Sequence, residues 1–132
     1  MLGEQVGEEK GRITGKRVLE TTPQPKLEIS FEGKGTILGI EHKSIGTYWS
    51  VMQPNGFLYG EGNGVIMTQE GHASWKGSGV GRITERGTTS YRGTVYYQTN
   101  VERLRRLNGI AVVFEYETDE NDNTTSKSFE WK

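Results

Sequence analysis

Apolar and polar residues alternate with a period of two along most of the chain. In KLEISFEG, Leu27, Ile29 and Phe31 share one face, and charged or hydroxyl side chains occupy the other. Alternation of this kind is typical of strands with one buried face. The pattern predicts eight strands, in the stretches GRITGKRVLE, KLEISFEG, IGTYWSVM, FLYGEGNGVIMT, HASWKGSGVGRIT, TTSYRGTVYYQT, IAVVFEYET and TTSKSFEWK.

Turn-forming residues separate these stretches. TTPQP, QPNG, QEG, ERG and DENDN each combine residues that favour tight or irregular backbone. Connections this short join neighbouring strands antiparallel, which predicts a meander. Gly33 and Gly35 predict a bulge or a bend in an extended segment that continues through TILGIEH.

One segment changes its period. In TNVERLRRLNG, Val101, Leu104 and Leu107 recur every three residues, and Thr99 and Glu102 have the spacing of a capping box. The segment predicts a short amphipathic helix that ends at NG, before the seventh strand. The arginines of RLRRL then belong to its solvent face, where Glu102 and the arginine four residues later are spaced to pair.

The length of 132 residues suits one domain, residues 1–132, with residues 1–10 expected to be frayed. A chain of this size has no spare elements to cover a flat eight-stranded sheet. Closure into a barrel buries one face and removes the exposed edges. The sequence therefore predicts an all-β, eight-stranded antiparallel meander barrel with one short helix before strand 7.

Composition excludes several classes of function. The net charge is −1, with 16 basic and 17 acidic residues, so no basic face for nucleic acid is indicated. The absence of cysteine removes thiolate catalysis and cysteine zinc sites. The N-terminus has no signal-peptide pattern, and no apolar run is long enough to span a membrane. We expect a cytoplasmic protein without nucleic-acid or membrane partners.

No metal or cofactor is expected. His42 and His72 lack partners at metal-ligand spacing. The stretch beginning at Asp119 matches several positions of a calcium loop, but Thr124 stands where glycine is required and strands flank it. We interpret it as an acidic hairpin tip.

Glycine, with 19 residues, is the most unusual feature of the composition. The runs GEGNG and GSGVG have G-x-G-x-G spacing within strands, whereas a dinucleotide site needs G-x-G-x-x-G between a strand and a helix. A period of two places each run on one inward face, and the connecting hairpin sets the two runs side by side. Such a bare face either seats bulky neighbours or leaves room for a ligand, and both can hold in one barrel.

The candidate ligand-binding residues are the glycines of this face and aromatic or polar residues on neighbouring strands. Within TYWSVM and SYRGTVYYQT, adjacent side chains point to opposite faces, so one of each set must face the lumen. The carboxylates nearest these strands, Glu41 and Glu61, are weak candidates for a general acid or base if either is buried. The predicted ligand-binding set is Tyr48, Trp49, Gly60, Gly62, Trp75, Gly77, Gly79, Tyr91, Arg92 and Tyr97.

The segments KLEISFEGKGT, GTYWSVMQPNG, LYGEGNGVIMT, WKGSGVGRIT, YRGTVYYQT and FEYETDE resemble a family of small uncharacterised prokaryotic proteins with an allene-oxide-cyclase-like barrel. The resemblance extends from about Gly11 to Lys132. It implies an eight-stranded barrel, and the wider class includes oligomers and cyclising enzymes. It supplies no catalytic motif for these positions, and a fold alone does not establish a function.

Three functions remain open. The first is binding of a small, largely apolar molecule in the lumen. The second is an isomerase or cyclase that folds a reactive apolar substrate, with a buried Glu or Tyr assisting. The third is a filled barrel that serves as a structural module for homo-oligomerisation. A homo-oligomer is expected in any case.

Overall fold

The strands follow one another around a closed barrel. The computed structural model describes residues 1–84 and 87–132. Each strand pairs antiparallel with the next and β8 returns to β1, which confirms the predicted fold class. A 3₁₀ helix, Glu102–Leu107, precedes β7. The strands are β1 (Leu2–Glu20), β2 (Lys26–Ile37), β3 (Ile40–Met52), β4 (Leu58–Thr68), β5 (Gly71–Ile83), β6 (Thr89–Thr99), β7 (Val112–Thr118) and β8 (Asn123–Trp131).

The seam between β1 and β8 holds the N-terminal segment in the sheet. Glu9 pairs with Ser126 of β8 on one side and with Gly35 of β2 on the other. Residues 1–10 were expected to be frayed, and this is wrong from Leu2 onward because the segment has strand partners on both sides. The turn predicted at ERG falls mainly on residues 85 and 86, which lie outside the described residues.

A two-residue turn divides the segment that was predicted to run extended through TILGIEH. Leu38 and Gly39 have φ angles of 48° and 79°, and Ile37 pairs with Ile40 across them. Positive φ at both positions is the geometry of a tight hairpin turn. The sequence does not indicate this turn, because its first position holds an apolar leucine that packs against the core.

The bulge predicted at Gly33 and Gly35 is also wrong. The register of β2 is continuous through both glycines, and the register shifts lie on β1, the first between Ile13 and Gly15. Gly35 is needed for close approach instead, because a Cβ there would lie 1.9 Å from the carbonyl oxygen of Glu8.

The 3₁₀ helix closes one end of the barrel. Leu104 and Leu107 have no exposed surface. The predicted capping box is wrong, since Thr99 belongs to β6 and its hydroxyl accepts the Val101 N–H at 3.0 Å. No helix among the described residues is long and apolar enough to cross a membrane. We call the aliphatic cluster under this helix the plugged end; it comprises Ile37, Ile40, Ile66, Ala73, Val101, Leu104 and Leu107.

The arginines of the helix point away from the plugged end. Glu102 bonds Arg105 at 3.0 Å, and Arg106 bonds Glu130 of β8 at 2.8 Å. The predicted pairing of Glu102 with Arg106 is replaced because a 3₁₀ helix has three residues per turn and brings i and i+3 together. The interpretation of RLRRL as a solvent face is confirmed.

Candidate functional site

A cavity of about 120 Å³ lies in the lumen and borders the plugged end at Ile66. Phe31 lines it, with its ring centroid 5.7 Å from that of Tyr116 and 6.4 Å from that of Trp75. No lysine or arginine of the described residues lines this cavity. We call the rings that surround it the aromatic wall; they belong to Phe31, Tyr48, Trp75, Tyr91, Tyr97, Phe114 and Tyr116.

The glycines of β4 and β5 form the barest part of the cavity lining. Gly60 pairs directly with Gly79, and Gly62 with Gly77, so the two rows lie side by side as predicted. All four border the cavity. A Cβ on Gly62 would lie 2.6 Å from Cβ of Tyr48, and one on Gly77 would lie 2.5 Å from Cγ1 of Val95, so these two glycines admit side chains of the neighbouring strands. At Gly79 the nearest atoms would be 3.0 Å away or more.

Other glycines seat the rings. A Cβ on Gly64 would lie 2.7 Å from the indole atoms of Trp75, and one on Gly46 would lie 2.7 Å from Cζ of Phe31. Distances below 3 Å cannot be tolerated without movement of the ring, so these glycines allow the aromatic side chains to lie flat on the backbone. The packing role that the sequence left open is thus confirmed for Gly46 and Gly64, and room for a ligand stays a prediction.

Tyr48, Tyr91 and Tyr116 form a contiguous tyrosine cluster within the aromatic wall. The Tyr48 hydroxyl donates to that of Tyr116 at 3.3 Å, and the Tyr91 hydroxyl bonds that of Ser50 at 2.6 Å. Burial raises the pKa of all three phenols, and for Tyr48 the neighbouring Tyr116 adds to the rise. The cluster therefore stays neutral at physiological pH and offers hydroxyl groups rather than charges.

Tyr97 presents a further phenol to the cavity. Burial is the main cause that raises the pKa of this phenol, and the neighbouring Glu9 raises the pKa further. Its hydroxyl makes no hydrogen bond to any other described residue. Tyr97 is thus a neutral hydrogen-bonding group on the cavity wall.

A partly buried carboxylate, that of Glu9, lies between the plugged end and the tyrosine cluster. Oε1 of Glu9 accepts a hydrogen bond from Oγ of Ser44 at 2.5 Å and lies 2.9 Å from Nε2 of His42. The side chains of His42 and Glu9 are only 3% and 14% exposed. We call these three residues the Glu9 site. Glu9 and Ser44 line the cavity.

Glycine also makes the Glu9 site possible. Glu9 reaches across β2 to the β3 residues, and a Cβ on Gly33 would lie 2.5 Å from Oε2 of Glu9. The sequence EGKGT thus provides a gap for a side chain from the neighbouring strand. Sequence reasoning missed Glu9 because its segment was expected to be frayed, although Gly7, Glu9, Gly11 and Ile13 alternate on one face.

His42 has a second, unpaired nitrogen. Nδ1 is buried and has no hydrogen-bond partner among the described residues. A protonated imidazole carries an N–H on both nitrogens, and a buried N–H without an acceptor is costly. The geometry therefore favours the neutral tautomer, in which Nε2–H donates to Glu9.

Eight of the ten predicted ligand-binding residues border the cavity. They are two of the three tyrosines of β6, one aromatic residue each from β3 and β5, and the four paired glycines: Tyr91, Tyr97, Tyr48, Trp75, Gly60, Gly62, Gly77 and Gly79. Their role in binding stays a prediction. Trp49 and Arg92, the remaining two, lie on the exterior.

The exterior contacts of these residues explain their placement. Trp49 packs against Tyr59 with ring centroids 5.8 Å apart, and Nζ of Lys26 lies 4.5 Å from its ring centroid. Arg92, which is exposed, bonds Oγ of Ser90 at 3.1 Å. Each points outward because its chain neighbour, Tyr48 or Tyr91, points inward.

The two carboxylates predicted as weak catalytic candidates are exterior as well. Glu41 is exposed on β3, beside the inward His42. Glu61 borders the cavity together with its chain neighbours Gly60 and Gly62. Its carboxylate lies outside, where it accepts a hydrogen bond from the exposed Tyr59 hydroxyl at 2.7 Å. Neither supplies a buried acid or base, and Glu9 is the carboxylate that enters the lumen.

Comparisons with solved structures agree with the barrel. A conserved protein of unknown function from Rhodopseudomonas palustris is 15% identical, with a TM-score of 0.81 over 98% of this chain and 97% of that one. A beta-barrel like protein from Acinetobacter baumannii is 12% identical, with a TM-score of 0.82 over 100% and 96%. An enzyme from Penicillium herquei is 14% identical, with a TM-score of 0.62 over 98% and 96%.

At these identities the similarity establishes the fold alone. No protein-family model matches the sequence, and no curated protein matches it. The neighbours include uncharacterised barrel proteins, and the function has to be argued from the lumen itself.

Proposed function

We propose that the barrel binds one small, largely apolar molecule in its lumen, with the Glu9 site facing the polar part of that molecule. The cavity of about 120 Å³ carries this proposal. It is far larger than the roughly 10–15 Å³ that one water requires and approaches the roughly 150 Å³ of an apolar cavity known to bind benzene. Aromatic rings with a few convergent polar groups are the usual lining of a small-molecule site.

Benzene is a suitable probe because it fits a cavity of this size. The indole N–H signal of Trp75 reports on the lumen by nuclear magnetic resonance, and those of Trp49 and Trp131 report on the exterior. We expect benzene to shift the Trp75 signal in a saturable way and to leave the other two in place.

A variant that fills the cavity tests the location. We expect Gly79→Leu to stay folded and to lose benzene binding, because the new side chain enters the lumen. Val80→Leu is the matched control, since Val80 is the next residue and is 60% exposed. Unchanged benzene binding by Gly79→Leu would place the site elsewhere and refute the proposal.

A second candidate is an isomerase or cyclase that acts on a reactive apolar substrate. Glu9 and Tyr97 favour it, because a carboxylate and a neutral phenol on one cavity wall can accept and donate protons. This candidate includes the finer classification as an allene-oxide-cyclase-like barrel. Any molecule that copurifies with the protein is the substrate to test, and its conversion can be followed by proton resonance spectra.

Glu9→Gln separates the two functions. An enzyme that uses Glu9 would lose about 10²-fold or more in rate and still retain its ligand. A lumen that binds the copurifying molecule without converting it is a binding site only.

The homo-oligomer and the cytoplasmic location stay predictions. Large apolar side chains are exposed on the exterior, including Val18 at 61%, Val80 at 60% and Trp131 at 56%, which supports association with further copies. Native mass spectrometry of the protein from its source measures the number of copies and any retained ligand together. A monomer at micromolar concentration would refute the oligomer and leave the lumen proposal intact.

A further inference from the structure

The carboxylate of Glu9 has no positive counter-charge within the lumen. Ser44 and His42 both approach Oε1, a pattern suited to an ionised carboxylate, which only accepts hydrogen bonds. The unpaired Nδ1 favours a neutral His42. No lysine or arginine among the described residues lines the cavity. The Glu9 site therefore presents a carboxylate that no lysine or arginine of the described cavity lining neutralises.

The aromatic wall adds to this negative potential. The face of an aromatic ring is the negative part of its quadrupole, and a cation within about 6 Å of a ring centroid is attracted to it. Phe31, Tyr48 and Tyr116 have centroids between 5.6 and 6.0 Å apart, so a ligand beside one ring is close to the others. The phenols of this wall are neutral, so they contribute ring faces and hydroxyl groups and carry no charge of their own.

The size and ligand count select the kind of cation. A cavity of about 120 Å³ is somewhat smaller than the roughly 150 Å³ that holds the six carbons of benzene. A metal ion needs several hard ligands, and no group of three or more His, Cys, Asp or Glu side chains is assembled among the described residues. A compact organic cation needs only one carboxylate and apolar surroundings.

We propose that the lumen recognises a small organic cation, an ammonium or quaternary ammonium group, with Glu9 as its counter-charge and the aromatic wall around its carbon atoms. This inference rests on the proposed function, because it names the chemistry of the molecule that the lumen binds.

Two probes of equal size separate charge from shape. Tetramethylammonium and tert-butanol each have five non-hydrogen atoms, and only the first is charged. Titration of each against the Trp75 indole signal gives two dissociation constants. We expect tetramethylammonium to bind about tenfold more tightly than tert-butanol. Equal affinity, or tighter binding of tert-butanol, would overturn the inference and leave the proposed function in place. Failure of both probes and of benzene to bind would overturn both.

Glu9→Gln tests the counter-charge directly. Glutamine keeps the size of the side chain and an oxygen acceptor for Ser44 and His42, so the barrel should retain its fold. We expect the affinity for tetramethylammonium to fall about tenfold or more and that for tert-butanol to change by less than about twofold. Glu41→Gln, an exterior carboxylate on β3, is the matched control and should change neither constant. An unchanged affinity of Glu9→Gln for tetramethylammonium overturns the inference.

The same titration with Gly79→Leu controls for binding on the outside of the barrel. The added side chain should abolish the Trp75 response to both probes. A response to tetramethylammonium that survives in this variant would show that the cation binds outside the lumen and would contradict the inference.

Discussion

The plugged end and the aromatic wall are packed differently. At the plugged end, Leu104 and Leu107 are completely buried against other aliphatic side chains. Along the aromatic wall, neighbouring ring planes make angles between 29° and 83° and surround a cavity. Branched aliphatic side chains interdigitate and fill the space between strands. Planar rings that lie on glycines are fixed in orientation and leave gaps between them. Both rings and glycines line the open volume of this barrel.

Alkaline pH should affect the aromatic wall most strongly. The folded chain keeps Tyr48, Tyr91, Tyr97 and Tyr116 protonated above the ordinary tyrosine pKa of 10.0. The unfolded chain releases these protons, so the free energy of unfolding is fully retained below about pH 10 and decreases above it. Each phenol should cost about 1.4 kcal/mol per pH unit until the folded pKa is reached.

Urea unfolding between about pH 8 and about pH 11 measures this loss, which should reach several kcal/mol. Tyr97→Phe should make the decrease shallower, because one of the four phenols is removed. A flat profile for the wild type would mean that the phenols ionise in the folded barrel and that the aromatic wall is wet.

Leu104→Ala should reduce the free energy of unfolding by about 3 kcal/mol, since it opens a cavity in the filled plugged end. Leu2→Ala is the control, because Leu2 is 54% exposed, and should change stability by less than about 0.5 kcal/mol. Urea unfolding at neutral pH compares the two. A small loss for Leu104→Ala would indicate that the plugged end is as loosely packed as the aromatic wall.

Gly64→Ala should destabilise the barrel by about 1–3 kcal/mol, because the new methyl group displaces the Trp75 ring from its seat. Gly15→Ala is the matched control, since a Cβ there meets nothing within 4 Å. Urea unfolding gives the stability, and near-ultraviolet circular dichroism reports the movement of the indole. If both substitutions are neutral, the rings are not seated on glycine as described.

The smallest difference concerns single hydroxyl groups inside and outside the barrel. Tyr91→Phe should cost about 1 kcal/mol, because it leaves the buried Ser50 hydroxyl without its partner. Tyr59→Phe removes an exposed hydrogen bond to Glu61 and should cost less than about 0.5 kcal/mol. Thermal unfolding of the two variants is sufficient to rank them, and equal shifts would contradict the distinction between the two faces.

Much of the fold could be predicted from period-two alternation. The strands, the barrel closure and the buried face of the helix follow from where apolar residues recur. The turn at Leu38 and Gly39 was not predictable in this way, because its leucine serves the core and carries no polar turn signal. The first half of β1, residues 2–10, was missed because its partners on β8 are distant in the sequence and because glycine and a charged residue, Gly7 and Glu9, interrupt the apolar alternation.

The site was predictable only in part. Trp75 was placed near the lumen because it shares the glycine face of its strand, and Tyr48 and Tyr91 were included because one of two adjacent side chains in a strand must face inward. Trp49 was included because the sequence does not decide which of two adjacent aromatic residues faces inward. Glu9 was missed because residues 1–10 were expected to be frayed, and because its partners His42 and Ser44 lie on β3, which the sequence does not place beside them.

The seam between β1 and β8 has a consequence for the order of folding. It joins residues such as Gly7 and Ser128, which are 121 positions apart, whereas every other strand pair joins neighbours in the chain. Closing so long a loop is entropically expensive, so we expect the seam to form last. The Glu9 site belongs to β1–β3 and can assemble earlier, while its carboxylate is still hydrated. Pairing of β1 with β8 then removes water from that carboxylate. A cation already bound beside it would lower the free-energy cost of this desolvation.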